Sequence, residues 1–212
     1  MLLASAYCPP VEYFALLARD FVPGTPAGDT PIIYIEACET YQKQSWRTRC
    51  RILGPNGVEM LQVPIVHGPD RLISEIRVDY STPWIVRTER ALDAAYSSSP
   101  FYAYYRDEIL SVLEVKPDRL LELNIALTQH LLDRLGIAVQ LLQTKDFALP
   151  GSAPDDYRET LHPKRPNTVL QELGLDRPYY QVFAQKFGFT PGLSVLDLLF
   201  NEGPAALTFL KR

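Results

Sequence analysis

The sequence predicts an α/β protein, with an N-terminal βαβ unit and a β-hairpin in a mixed sheet, followed by a mostly helical C-terminal half. Three observations carry this. Short runs rich in leucine and isoleucine, at 1–7 and 32–37, flank one amphipathic segment, which is the order of a parallel crossover. Gly54-Pro55-Asn56-Gly57 separates two strand-like runs, and proline presets φ while asparagine and glycine tolerate positive φ. From Ser81 onward the apolar residues recur at helical spacing.

The first run, Met1–Tyr7, reads as a buried strand ended by Pro9-Pro10. Val11–Arg19 follows as a helix entered through prolines, which suit a first turn. Pro23–Pro31 is a loop and Ile32–Ala37 a second buried strand. The crevice of such a unit opens beyond the carboxyl ends of its strands, here Tyr7-Cys8 and Glu36–Glu39. Trp46–Leu53 and Val58–Val66 are the hairpin strands, with Pro64 at an edge or end. Ile73–Val78 alternates as another short strand.

Thr82 is placed to cap a helix with Pro83 at its first position, running to Tyr96; Ser99-Pro100 repeats the device for Phe101–Leu113. Tyr102, Tyr104 and Tyr105 there read as core or helix contact rather than a ligand platform. Asp118–Leu135 is the clearest helix, with Leu120, Leu123, Leu127, Leu131 and Leu135 in register and Gly136 as its stop. Ile137–Thr144 reads as a strand, and the polar Pro150–Asn167 as a long loop. Short helices at Val169–Leu173, Tyr179–Phe187, Ser194–Phe200 and Pro204–Leu210 close the chain, Ser194 being an N-cap with Asp197 at capping-box distance. No repeat or boundary divides residues 1–212, so one domain is expected.

A net charge of −4 with one local basic cluster argues against nucleic acid, which recruits a broad basic surface, and for a compact anionic ligand. Cys8, Cys38 and Cys50 are odd in number and widely spaced, which points to a reducing compartment. The first residues make a poor signal peptide, and no run reaches a membrane span, so a cytoplasmic location is expected.

Lys43, Arg47, Arg49 and Arg51 fall within nine residues that contain no acid. A strand through them puts Arg47, Arg49 and Arg51 on one face, opposite Trp46, Thr48, Cys50 and Ile52. That face is either an anion site or a solvated edge that resists aggregation. The loop Asp155–Lys164, with Arg158, His162 and Lys164, either closes over a ligand held there or is simply solvated. His67 and His162 are candidate general bases, since imidazole titrates near neutrality. His130, inside the leucine-rich helix, reads as structural and has no second ligand at helical spacing, so no metal site is expected. Phosphate-loop, dinucleotide, nucleophile-elbow and zinc-protease motifs are absent. Cys8 and Cys38 become nucleophiles only if a histidine approaches; otherwise they are small buried thiols.

The run Tyr41-Gln42-Lys43-Gln44-Ser45-Trp46-Arg47-Thr48-Arg49-Cys50-Arg51-Ile52, then Asn56-Gly57 and Leu61-Gln62-Val63-Pro64, resembles the signature of WbqC-like proteins. So do Tyr96–Tyr105, Leu121–Asn124, Asp156–Lys164 and the tail from Tyr179-Tyr180-Gln181 through Leu193–Pro204. The opening Ala6-Tyr7-Cys8-Pro9-Pro10 is similar to the form common in Bacteroidetes-type bacteria. Two departures stand out: Thr48 replaces an asparagine common between the two arginines, and Thr88 replaces a histidine that commonly follows Trp84. If that histidine is catalytic in the family, His67 and His162 are left to carry imidazole chemistry here.

The resemblance implies a protein of O-antigen or other surface-polysaccharide biosynthesis that transfers an acyl or aminoacyl group, such as glycine, to an activated sugar. Lys43, Arg47 and Arg49 then hold a phosphate or carboxylate of a nucleotide-sugar, acyl donor or ATP. Trp46, Arg158 and Lys164 join the binding set, with Gln42, Tyr180, Gln181 and Asn201 as orienting groups and His162 as base. No cofactor follows from the residues. Two other readings remain: a non-catalytic partner of glycan-assembly enzymes, and an adenylate-forming nucleotide-binding enzyme.

Overall fold

A computed structural model describes residues 1–69 and 71–211. In chain order the elements are β1 (Leu2–Ala4), α1 (Val11–Arg19), β2 (Ile32–Glu36), β3 (Arg49–Gly54), β4 (Gly57–Gln62), α2 (Trp84–Tyr96) and α3 (Tyr102–Glu114). They continue with α4 (Leu120–Leu135), β5 (Gln140–Gln143), α5 (Val169–Glu172), α6 (Ala184–Phe187), α7 (Val195–Glu202) and α8 (Ala206–Leu210).

The N-terminal crossover forms as its hydrophobic pattern requires. β1 and β2 pair in parallel with Leu2 opposite Tyr34, and β5 joins β2 in parallel with Ile32 opposite Gln140. α1 buries every residue from Val11 to Ala18, so it is a core element on all sides. It packs against α5, α7 and α8, and the C-terminal short helices thereby close over it. The class is the expected one: a parallel sheet with its helix, a hairpin, and a mostly helical second half. The two sheets stay separate, the parallel one ordered β1-β2-β5 and the hairpin β3-β4 a ribbon of its own. β3 lies against α2 and α7.

Several local expectations shift for identifiable reasons. Trp46, Arg47 and Thr48 precede the strand, because Arg47 turns inward to an acid. Ile73–Val78 is no strand but a turn stitched by single bridges, Ile65 to Val78 and Arg77 to Arg119. Its apolar residues Ile73, Ile76 and Val78 are all buried, which the alternation did reflect. Thr82 does not cap α2; its carbonyl accepts from the Trp84 amide at 2.8 Å, and Pro83 occupies the cap position. Gly136 ends α4 at φ 70°, the left-handed conformation that favours glycine. Ser194 does cap α7, its hydroxyl accepting from the Leu196 amide at 3.2 Å. At Gly203 (φ +53°) an added Cβ would lie 2.5 Å from the Phe101 ring, so only glycine fits there.

Candidate functional site

Beyond the carboxyl end of β2 lies a cleft of about 270 Å³, lined by Glu39, Thr40, Gln42, Phe147, Pro150, Asp156, Arg158 and Glu159. Its walls come from the segment after β2, the segment after β5 and the polar loop. One carboxylate ties the three together. Glu36, the last residue of β2, is fully buried and accepts four hydrogen bonds. The donors are the Cys38 amide at 2.9 Å, the Thr144 hydroxyl at 2.7 Å, the Ala148 amide at 3.1 Å and Arg158 Nη1 at 2.8 Å. Arg158 in turn grips Asp156 through Nε at 2.9 Å and Nη2 at 2.7 Å, and its guanidinium lies 5.4 Å from the Phe147 ring centroid. Asp156 sits beside Leu2 as an extra bridge on β1, which anchors the loop to the sheet.

Arg47 is buried and paired in a fork with Glu39, Nε to Oε1 at 2.6 Å and Nη2 to Oε2 at 2.5 Å. The polar loop does lie along the basic segment. Gln42 donates to Glu159 at 3.0 Å, Lys164 to the side chain of Gln44, and Arg51 Nη2 to the Pro163 carbonyl at 2.6 Å. The Arg51 guanidinium also sits 5.3 Å over the ring of buried Trp46. His162 is in this loop, its Nδ1 accepting from the Lys164 amide at 3.2 Å. Partial burial and the charge of Arg165 lower its pKa, so it is a neutral imidazole at pH 7. Lys43 is exposed and has no ion pair among the described residues, and Arg49 Nε is buried without an acceptor among them.

The structure thus brings Gln42, Trp46, Arg47, Arg158, His162 and Lys164 into one neighbourhood. It does not bring His67, which is exposed beyond β4 and faces Asp79. The acids Glu36, Glu39, Asp156 and Glu159 were not singled out from the sequence. The only signal was their position, two of them at the carboxyl end of β2 and two inside the polar loop. Cys8 and Cys50 are buried, and burial, reinforced by Cys8, pushes the Cys50 thiol up, which suits packing rather than catalysis. No group of three or more histidine, cysteine or acidic side chains able to hold a metal occurs among the described residues. No described helix is long and apolar enough to cross a membrane.

Comparison with protein families matches residues 5–174 to the WbqC-like protein family. The chain belongs to that family. This WbqC-like chain is also 30% identical, over 99% of its length and 96% of the other's, to the uncharacterized protein Rv1507c of Mycobacterium tuberculosis. No solved structure matches it. The family match contains the whole cleft lining, and the tail from Leu175 lies outside it.

That tail holds the remaining candidates of the WbqC-like chain. Gln181 and Asn201 are buried at Asp197, the first through Nε2 to Oδ2 at 3.0 Å, the second through Nδ2 to the Asp197 carbonyl at 2.8 Å. Gln181 also exchanges hydrogen bonds with the Thr190 backbone, and 179–181 lie outside the helix, which begins only at Ala184. Tyr180 is exposed, its amide bound to Glu202 at 2.8 Å. None of the three lines the cleft.

Asp197 makes the tail sensitive to pH. Burial pushes its carboxyl from 3.8 up to about 6, against the hydrogen bonds from Tyr179 and Gln181 that favour the ionised form. A folded pKa above the unfolded one adds stability that is full below about pH 4 and is lost as pH rises through about 6. That displacement is worth about 3 kcal/mol. Asp197→Asn, which cannot ionise but keeps an oxygen for both donors, is expected to gain that amount relative to wild type between pH 4 and pH 8. Urea titrations at both pH values measure it, and an unchanged difference between variant and wild type would contradict the assignment.

Proposed function

We propose that this WbqC-like protein transfers an acyl or aminoacyl group, glycine being one candidate, to an activated sugar in surface-polysaccharide assembly, with the sugar seated in the cleft beyond β2. The lining is the observation that carries this reading. Glu39, Asp156 and Glu159 supply acceptors, while Arg158 and Gln42 supply donors, as a ring of hydroxyls requires. Phe147 and Pro150 add an apolar wall for the C–H face of the ring. The volume of about 270 Å³ suits one sugar rather than a whole nucleotide-sugar.

Arg47 and Arg158 are neutralised internally, so a diphosphate would meet Lys43 and Lys164 instead, which flank Gln42 and Gln44 in the same segment and the loop upon it. His162 serves as the base through Nδ1 once the Lys164 amide releases it: Nδ1 takes the proton from the sugar hydroxyl or amine as that group bonds to the acyl carbon and the donor's leaving group departs. The adenylate-forming alternative loses support at α1. The Val11 amide is already bound to the Leu193 carbonyl, and buried Glu12 fills the first turn where a phosphate would sit.

Thermal shift of the native protein with nucleotide-sugars, acyl-coenzyme A, and ATP plus glycine tests the reading. A nucleotide-sugar is expected to raise the melting temperature, and Glu159→Gln to weaken that response about tenfold. No response to any of the three would overturn it.

A further inference from the structure

The cleft beyond β2 carries more negative charge than its own cations neutralise. Arg158 is one guanidinium between two carboxylates, Nη1 to Glu36 at 2.8 Å and Nη2 to Asp156 at 2.7 Å. The side chains of Arg158, Glu36 and Asp156 are 6%, 0% and 17% exposed, so the surplus charge sits where solvent ions screen it poorly. The hydrogen bonds from Arg158 hold the Asp156 carboxyl below the usual carboxylate range, so it is ionised at pH 7. Four donors converge on Glu36, the pattern that suits an acceptor-only carboxylate.

The charges around this group do not supply the missing cation. Arg47 is taken up by Glu39 in a closed fork. Arg165 reaches Glu159 at 3.5 Å, but both side chains are 62% exposed, and such a pair contributes little. Lys43 and Lys164 do not line the cleft. A buried charge is normally paired, so the wall at Asp156 favours a ligand that brings a positive group and disfavours one that brings a second negative group there. Phe147 and Pro150, on the same lining, fit that group to an organic ring rather than to a bare ion.

We propose that the sugar taken by this cleft is an amino sugar with a free amino group, held as an ammonium against Asp156 and Glu39. This rests on the sugar reading of the cleft and narrows it: neutral sugars and N-acetylated sugars fit the volume but leave the surplus charge unanswered, and a uronic acid adds to it.

Calorimetric titration of the native protein at roughly pH 6, where such an amine is protonated, compares UDP-glucosamine with UDP-glucose, UDP-N-acetylglucosamine, UDP-glucuronic acid and UDP. All share the diphosphate and differ only at the sugar. UDP-glucosamine is expected to bind about tenfold tighter than UDP-glucose and UDP-N-acetylglucosamine, with UDP-glucuronic acid weaker still. At roughly pH 9 the amine is neutral and the preference is expected to vanish. Asp156→Asn, which leaves Glu36 and Arg158 as a balanced pair, is expected to bring UDP-glucosamine to the affinity of UDP-glucose; the two pH values in wild type give the same comparison without a variant that must fold. Equal affinities for the three hexose compounds at both pH values would overturn this proposal and leave the sugar reading standing. UDP binding as tightly as UDP-glucosamine would also overturn it. No binding of any UDP-sugar at roughly 1 mM would overturn both.

Discussion

Glu36→Ala is expected to lower the unfolding free energy by about 3–5 kcal/mol, the cost of breaking a buried ion pair from one side. Glu36 is fully buried and Arg158 nearly so, at 0% and 6% side-chain exposure, so water cannot replace the lost carboxylate. Asp156 keeps part of the Arg158 charge compensated, which holds the cost at that level rather than beyond it. The Cys38 amide, Thr144 hydroxyl and Ala148 amide lose their acceptor in the same step. Glu36→Gln is expected to fall between wild type and alanine, because one oxygen remains for two donors while the amide faces the others. Urea unfolding with an unchanged m-value measures the loss. A loss below about 1 kcal/mol for alanine would show that the three walls of the cleft do not depend on this carboxylate.

The same residue shows where sequence reasoning stopped. Hydrophobic runs and proline boundaries made β1, α1 and β2 legible, and α1 begins and ends where expected. Asn56-Gly57 located the hairpin, and Gly136 the end of α4. An acid at the end of a short strand, by contrast, looks like any solvated terminus. Only the fold brings Thr144, Ala148 and Arg158, more than a hundred positions downstream, onto Glu36. Period-two alternation likewise assigned Arg47 to one face with Arg49 and Arg51. It could not register that Glu39, eight positions earlier, draws Arg47 inward before the strand begins. The contact between the polar loop and the basic segment was legible as one of two readings, because a loop carrying both charge signs can either meet the acid-free basic segment or stay solvated. Gln181 and Asn201 were expected from the resemblance as ligand-orienting groups; the fold instead buries them against Asp197, which sequence had placed only at capping-box distance from Ser194.

Arg47→Ala carries the second large expectation. It removes the guanidinium from a pair whose side chains are 4% and 6% exposed, leaving Glu39 charged and buried, and is expected to cost about 3–5 kcal/mol. Such a loss says nothing by itself about ligand binding, because it is the penalty of the abandoned carboxylate. Arg47→Met combined with Glu39→Gln removes both charges and keeps a polar group at the cleft wall, and is expected to recover more than half of the loss. A double-mutant cycle in urea measures the coupling; additive losses would mean that the fork contributes nothing specific. The double variant then separates structure from recognition. If Arg47 only anchors Glu39, a nucleotide-sugar still raises its melting temperature, though with affinity about tenfold weaker for the lost lining carboxylate, as for Glu159→Gln. If Arg47 releases Glu39 to hold a phosphate, the restored fold no longer responds, and the anion is gripped by the buried arginine rather than by Lys43 and Lys164 at the surface.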